Sequence, residues 1–124
     1  MAKYTGLIDC LECVIHKPNG KVVKHKFKGR TERNNINYRC NYRLKYGPSK
    51  CDNDTMVEES YIDSLIKQQL EVINMNIETV DISSIVDRIE VSKIRIEVFF
   101  KNLPITSCFY DIKLGKLHFD SLND

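Results

Sequence analysis

The sequence contains no apolar run that approaches the roughly 20 residues a membrane helix needs. No membrane partner is therefore expected. It has no internal repeat and no low-complexity tract, and its N-terminus carries nothing resembling a secretory signal, so an oxidising compartment is not implied. Acids are nearly missing from one half. Residues 1–50 hold 3 of the 17 Asp and Glu but 12 of the 19 Lys and Arg, so the formal net charge of +2 conceals a balance of +9 before residue 51 and −7 after it. Charge segregated in this way points to a polyanion partner for the first half.

A catalytic constellation is also missing. Ser60, Ser64, Ser83 and Ser84 have no histidine near them in sequence, and the carboxylates are scattered. The expectation is a chain that is not an enzyme on its own and takes no small-molecule substrate.

What is present is cysteine in a pattern. Four of the five cysteines lie between residues 10 and 51: Cys10-Leu11-Glu12-Cys13, then Cys40, then Cys51. Two cysteines two residues apart can offer both thiolates to one ion, and a second pair brought in by the chain folding back completes the tetrahedron that structural Zn²⁺ favours. The gap from Cys40 to Cys51 is wider than the usual spacing of a second pair. Unligated thiols and a disulfide framework are the alternatives, the latter disfavoured by the odd count. A CxxC can also serve redox chemistry, but the βαβ context that would accompany it is missing. Zinc held by Cys10, Cys13, Cys40 and Cys51 is the expectation, as a structural ion, because four cysteines leave no open coordination position.

Around these residues the pattern predicts an α+β chain: a zinc β-ribbon over 1–55, then helix and a small antiparallel β unit over 56–124. Residues 3–9 read as a strand leading into a metal turn, and Pro18-Asn19-Gly20 as a turn. Residues 21–28 alternate charge and apolar as a half-buried strand does. Residues 29–35 read as a polar loop, 36–43 as a strand, and 45–50 as a turn delivering Cys51. Thr55 and Glu58 have capping-box spacing, which predicts a helix from there to about Asn74. Residues 78–88 suggest a second short helix. Residues 94–100 form the clearest strand, followed by 107–112 and 116–119 joined at Gly115.

The stretch from Tyr4 to Cys13, together with Tyr38-Arg39-Cys40 and Lys50-Cys51-Asp52, resembles the recombinase zinc β-ribbon of large serine recombinases, the integrases of phages and mobile elements. The helix after Met56 and the strand Ile94–Phe100 also sit where that family places a helix and a closing strand. The resemblance covers about residues 4–100. It implies the C-terminal DNA-binding portion of a site-specific recombinase, acting in DNA integration and positioning the enzyme on its attachment site. It also implies a catalytic serine in a separate N-terminal domain, a bacterial or phage-encoded cytoplasmic setting, and contact with other protomers of the recombinase. No sustained heptad run marks the coiled coil that the family often carries.

Lys17, Lys21, Lys24, Lys26, Lys28, Arg30, Arg33, Arg39, Arg43 and Lys45 are the candidate DNA-binding set. Such cations release counterions from phosphates, Arg can read guanine edges, and a two-stranded ribbon fits the major groove of double-stranded DNA. Asn34, Asn35 and Asn37 could read adenine. Tyr38, Tyr42 and Tyr46 could stack on bases, although such spacing on a strand more often serves packing. His16 and His25 are read as surface or DNA-facing residues rather than ligands, His118 has no ligand partner in sequence, and Cys108 is read as a buried free thiol. A zinc-ribbon module for protein interaction and an RNA-binding ribbon are the competing functions.

Overall fold

A two-residue turn at Arg33 and Asn34, both with positive φ (48° and 69°), folds the longest strand back on its neighbour. Such left-handed pairs match the twist of a hairpin, and Asn tolerates them better than most residues. Strand β2 (Val22–Glu32) therefore runs through Gly29 into the segment expected as loop, and Glu32 pairs with Asn35 at the start of β3 (Asn35–Cys40). The computed structural model describes residues 2–111 and, by backbone alone, 116–119.

The remaining elements are β1 (Ile8–His16), α1 (Asn41–Tyr46), β4 (Val57–Glu58), α2 (Glu59–Val72), a 3-10 turn (Ile77–Thr79), α3 (Ile82–Ile85), β5 (Val86–Val91), β6 (Arg95–Phe100), β7 (Ser107–Asp111) and β8 (Lys116–Phe119). The strands form one mixed sheet in the order β4-β3-β2-β1-β5-β6-β7-β8. β1 and β5 are parallel and all other neighbours antiparallel. The fold is α+β, as expected. The sheet runs straight across the boundary expected near residue 55: β1 hydrogen-bonds β2 on one side and β5 on the other. One core draws on both halves, from Ile8 and Phe27 to Ile89, Val98 and Cys108.

Several local expectations are corrected. Residues 3–7 are turns, and the first strand begins at Ile8. The strand expected over 36–43 stops at Cys40 and becomes helix α1. Thr55 is not a helix cap. It lies before β4, its backbone N–H donates to Asn53 Oδ1 and its hydroxyl to the Ser92 carbonyl, and Glu58 occupies the N-cap without a side-chain hydrogen bond. Most of 78–88 is not a single helix: after the 3-10 turn and α3, Val86–Val91 is strand. Val86, Ile89 and Val91 are branched residues, which suit a pleated, buried position better than a helix. The strands expected at 94–100, 107–112 and 116–119 are present within a residue at each end. Gly115 lies outside the described residues.

Helix α2 buries Ile62, Leu65, Ile66, Gln69 and Leu70, the spacing of one helical face. Tyr4 secures the chain before β1 to that helix. Its hydroxyl donates to Asp63, and its backbone N–H donates to the Tyr38 hydroxyl (3.0 Å), which itself donates to Glu59 (2.6 Å). Both rings are fully buried and meet edge to face. Burial and these carboxylates hold both phenols well above the usual tyrosine range. Gly29 faces Tyr38 across the β2–β3 pair, and a Cβ there would lie 2.8 Å from the ring.

Candidate metal centre and the basic ribbon

In a regular strand, residues three apart point to opposite faces. Cys10 and Cys13 both lie in β1, so a flat strand would separate them. The pairing shows how this is avoided. Cys10 is opposite His25 while Ile15 is opposite Val23, so four residues of β1 stand against one of β2. This bulge turns Cys13 back toward the core side. The expected tight metal turn is therefore an irregularity inside a continuing strand.

The second pair is formed differently. Cys40 ends β3 and caps α1, whose six residues fill more than half of the wide gap to Cys51. Gly47, at φ 90°, ends the helix, and its N–H donates to the Arg43 carbonyl. Arg43 then donates to the Cys51 carbonyl at 3.0 Å, holding the returning loop. A helical turn thus does for the second pair what a short knuckle would do at closer spacing.

The four sulfurs converge. All lie within 4.8 Å of one another, and all four cysteines are buried and free of disulfides. Cys10 Sγ and Cys51 Sγ are 3.7 Å apart, and Cys13 Sγ and Cys40 Sγ are 3.6 Å apart. A bonded disulfide would bring a pair to about 2 Å. A tetrahedron of sulfurs about 2.3 Å from a central zinc has edges of roughly 3.8 Å. The donor set, its spacing and its burial are compatible with a structural metal ion such as zinc.

Asn53, buried beside this cluster, donates to Cys10 Sγ (3.3 Å) and to the Val91 carbonyl (3.2 Å). Burial alone would push the Cys10 thiol up. The Asn53 amide, the Glu12 backbone N–H and the neighbouring thiols outweigh it and hold Cys10 below its ordinary value. Burial raises Cys13, and it raises Cys51 to about 11. One sulfur is thus prepared for negative charge while Cys13 and Cys51 resist it, which a divalent cation would relieve. Sequence reasoning passed over Asn53, and its place two residues after Cys51 was the available signal.

The remaining candidates separate. His25 is not in the sulfur cluster. Its Nδ1 lies 2.7 Å from the Cys13 carbonyl, and its ring stacks on Tyr42 at 3.9 Å. His16 is exposed at the end of β1. The side chain of His118 lies outside the described residues. Cys108 is buried and free, and burial, with Glu97 nearby, pushes its thiol up to about 12.

The ten basic residues do not share one face. Lys24, Lys26, Lys28 and Arg30 alternate along the side of β2 away from the sulfurs, Lys17 and Lys21 flank the β1–β2 turn, Arg33 sits at the β2–β3 turn, and Arg43 and Lys45 are on α1. Three are ion-paired within the chain: Lys24 with Glu90 (2.7 Å), Lys26 with Asp9, and Arg39 with Glu32. Arg43 is spent on the Cys51 carbonyl. Lys17, Lys21, Lys28, Arg30, Arg33 and Lys45 form no ion pair among the described residues and are exposed. Asn37 is buried and bonded to Glu32, which withdraws it from base reading, whereas Asn34 and Asn35 are exposed at the turn. The acids that hold Lys24 and Lys26 come from β5 and β1, neighbours that the linear charge count does not reveal. Among the described residues no helix is long and apolar enough to cross a membrane. Compared with known protein families, curated proteins and solved structures, the chain matches none.

Proposed function

We propose that the chain is a zinc-pinned ribbon that holds double-stranded DNA, as the C-terminal DNA-binding portion of a site-specific serine recombinase. The observation that carries the DNA part is the juxtaposition of four buried sulfurs with strands β1–β3, whose turns and outer side present five unpaired cations, with a sixth, Lys45, on α1. The sulfurs fix β1 against β3, and the cations then stand on a rigid support, so little ordering entropy is lost on binding. The recombinase part rests on the resemblance of the cysteine pattern. The chain's own role is to position, because a four-sulfur site has no place for substrate.

Binding to duplex DNA across a salt series tests this. Four to six phosphate contacts give a slope of log K against log salt of roughly −4 to −5. Replacing Lys28, Arg30 and Arg33 together flattens the slope, whereas replacing Lys24 and Lys26 acts less, since each already has a carboxylate. Salt-independent binding, or none, would overturn the reading. The recombinase part further predicts a resolvase-type catalytic domain encoded in frame ahead of Met1.

A further inference from the structure

Beside the metal centre lies a small cleft of about 290 Å³, lined by His25, Lys26, Asn41, Tyr42, Lys45 and Tyr46. We propose that this cleft takes one unpaired nucleobase, stacked on Tyr46, with a flanking phosphate on Lys45. This rests on the nucleic-acid reading above and adds where a strand is gripped when a base is out of the helix.

Three rings form a ladder. His25 and Tyr42 are stacked at 3.9 Å and 14°, and Tyr46 follows at 4.9 Å and 50°. The inner end is fixed, because His25 Nδ1 is held against the Cys13 carbonyl and so against the sulfur cluster. The outer end is free: Tyr46 is 60% exposed, and its hydroxyl has no hydrogen-bond partner among the described residues. An aromatic ring so exposed contributes little to the core, yet it is pre-positioned by the rings behind it. The cleft lies at the small end of ligand pockets, which run about 300–1,000 Å³, so it suits one planar heterocycle. Of its two ammonium groups Lys26 is already paired with Asp9, whereas Lys45 forms no ion pair among the described residues and is left to meet an anion-bearing ligand. The half-buried Asn41 amide supplies a donor and an acceptor for a base edge. Stacking together with cationic flanks is how proteins hold unpaired bases without strong sequence preference.

The test uses the zinc-loaded full chain and two labelled probes, a thymine single strand of about 12 nucleotides, within the usual range of single-strand sites, and a duplex of equal length. Loss of one stacking contact corresponds to about a 5- to 150-fold drop in affinity. Tyr46→Ala is expected to show that drop on the single strand and none on the duplex, with an unchanged salt slope and full zinc content. Tyr46→Phe keeps the ring and is expected to bind like wild type. If Tyr46→Ala binds both probes like wild type, or weakens both equally, the platform is wrong while the duplex reading stands. If wild type binds the duplex but not the single strand, the same holds. If it binds neither, both fall.

Discussion

The side-chain nitrogen of Asn53 lies 3.3 Å from Cys10 Sγ and 3.2 Å from the Val91 carbonyl, and so ties the sulfur cluster to the parallel strand beside it. Its amide oxygen accepts from the Thr55 N–H, so the amide orientation is fixed. Outer partners of this kind orient a ligand and stabilise its thiolate. Their loss typically costs 10- to 100-fold in metal affinity. Asn53→Ala is expected to lose metal in that proportion in competition with a chromogenic chelator, while Asn53→Asp, which cannot donate, is expected to be no better. Wild-type affinity in both variants would show that the contact is incidental.

Gly29 is expected to resist any side chain. A Cβ would meet Ala2 Cβ at 2.7 Å and the Tyr38 ring at 2.8 Å, and that ring is fixed by hydrogen bonds at its hydroxyl. The constraint is space rather than backbone conformation. Overpacking of this kind costs about 1–3 kcal/mol. Gly29→Ala should lower the urea midpoint accordingly, and an unchanged midpoint would mean that the segment before β1 yields freely.

Glu90 makes stability depend on acid. Burial alone would raise its carboxyl, but Lys24 and Arg88 outweigh this and hold it below the usual range. A depressed folded value contributes stability above the unfolded pKa of about 4.3, and the contribution is lost as pH falls through the lower folded value. Glu90→Gln should therefore cost about 1–2 kcal/mol at neutral pH, a figure kept small because both cations reach solvent. The difference from wild type should shrink below about pH 4. A constant difference across that range would remove Glu90 from the acid response.

The cluster of Cys10, Cys13, Cys40 and Cys51 and the strand at 94–100 were legible because each depends on local signals: a paired cysteine spacing and a run of branched and aromatic residues. The bulge between Cys10 and Cys13 was not, since it exists only as a mismatch with β2. Helix α1 was hidden by the alternation of Ile36, Tyr38 and Cys40, which ends one residue before the chain coils. Residues 86–88 were read as the end of a short helix, although branched residues spoke against it, and pairing with β6 decided the matter. The same long-range pairing placed Asp9 and Glu90 beside Lys26 and Lys24, so a uniformly basic ribbon in sequence became a partly neutralised one in space.

Structural zinc contributes on the order of 10 kcal/mol in small metal modules, comparable with the whole stability of a domain. A strong chelator should accordingly destabilise the elements that carry the sulfurs, seen as loss of amide protection over β1, β3 and α1. Cys108→Ser should leave the metal content unchanged, because Cys108 lies outside the cluster. Retained protection after complete metal removal would show that the sheet needs no pin.

X-ray absorption at the zinc edge, on protein purified without added metal, tests the centre most directly. The account predicts one zinc per chain, with a single shell of four sulfurs at about 2.3 Å. A shell containing nitrogen or oxygen, or protein that carries no zinc and pairs Cys10 or Cys13 in a disulfide, would contradict it.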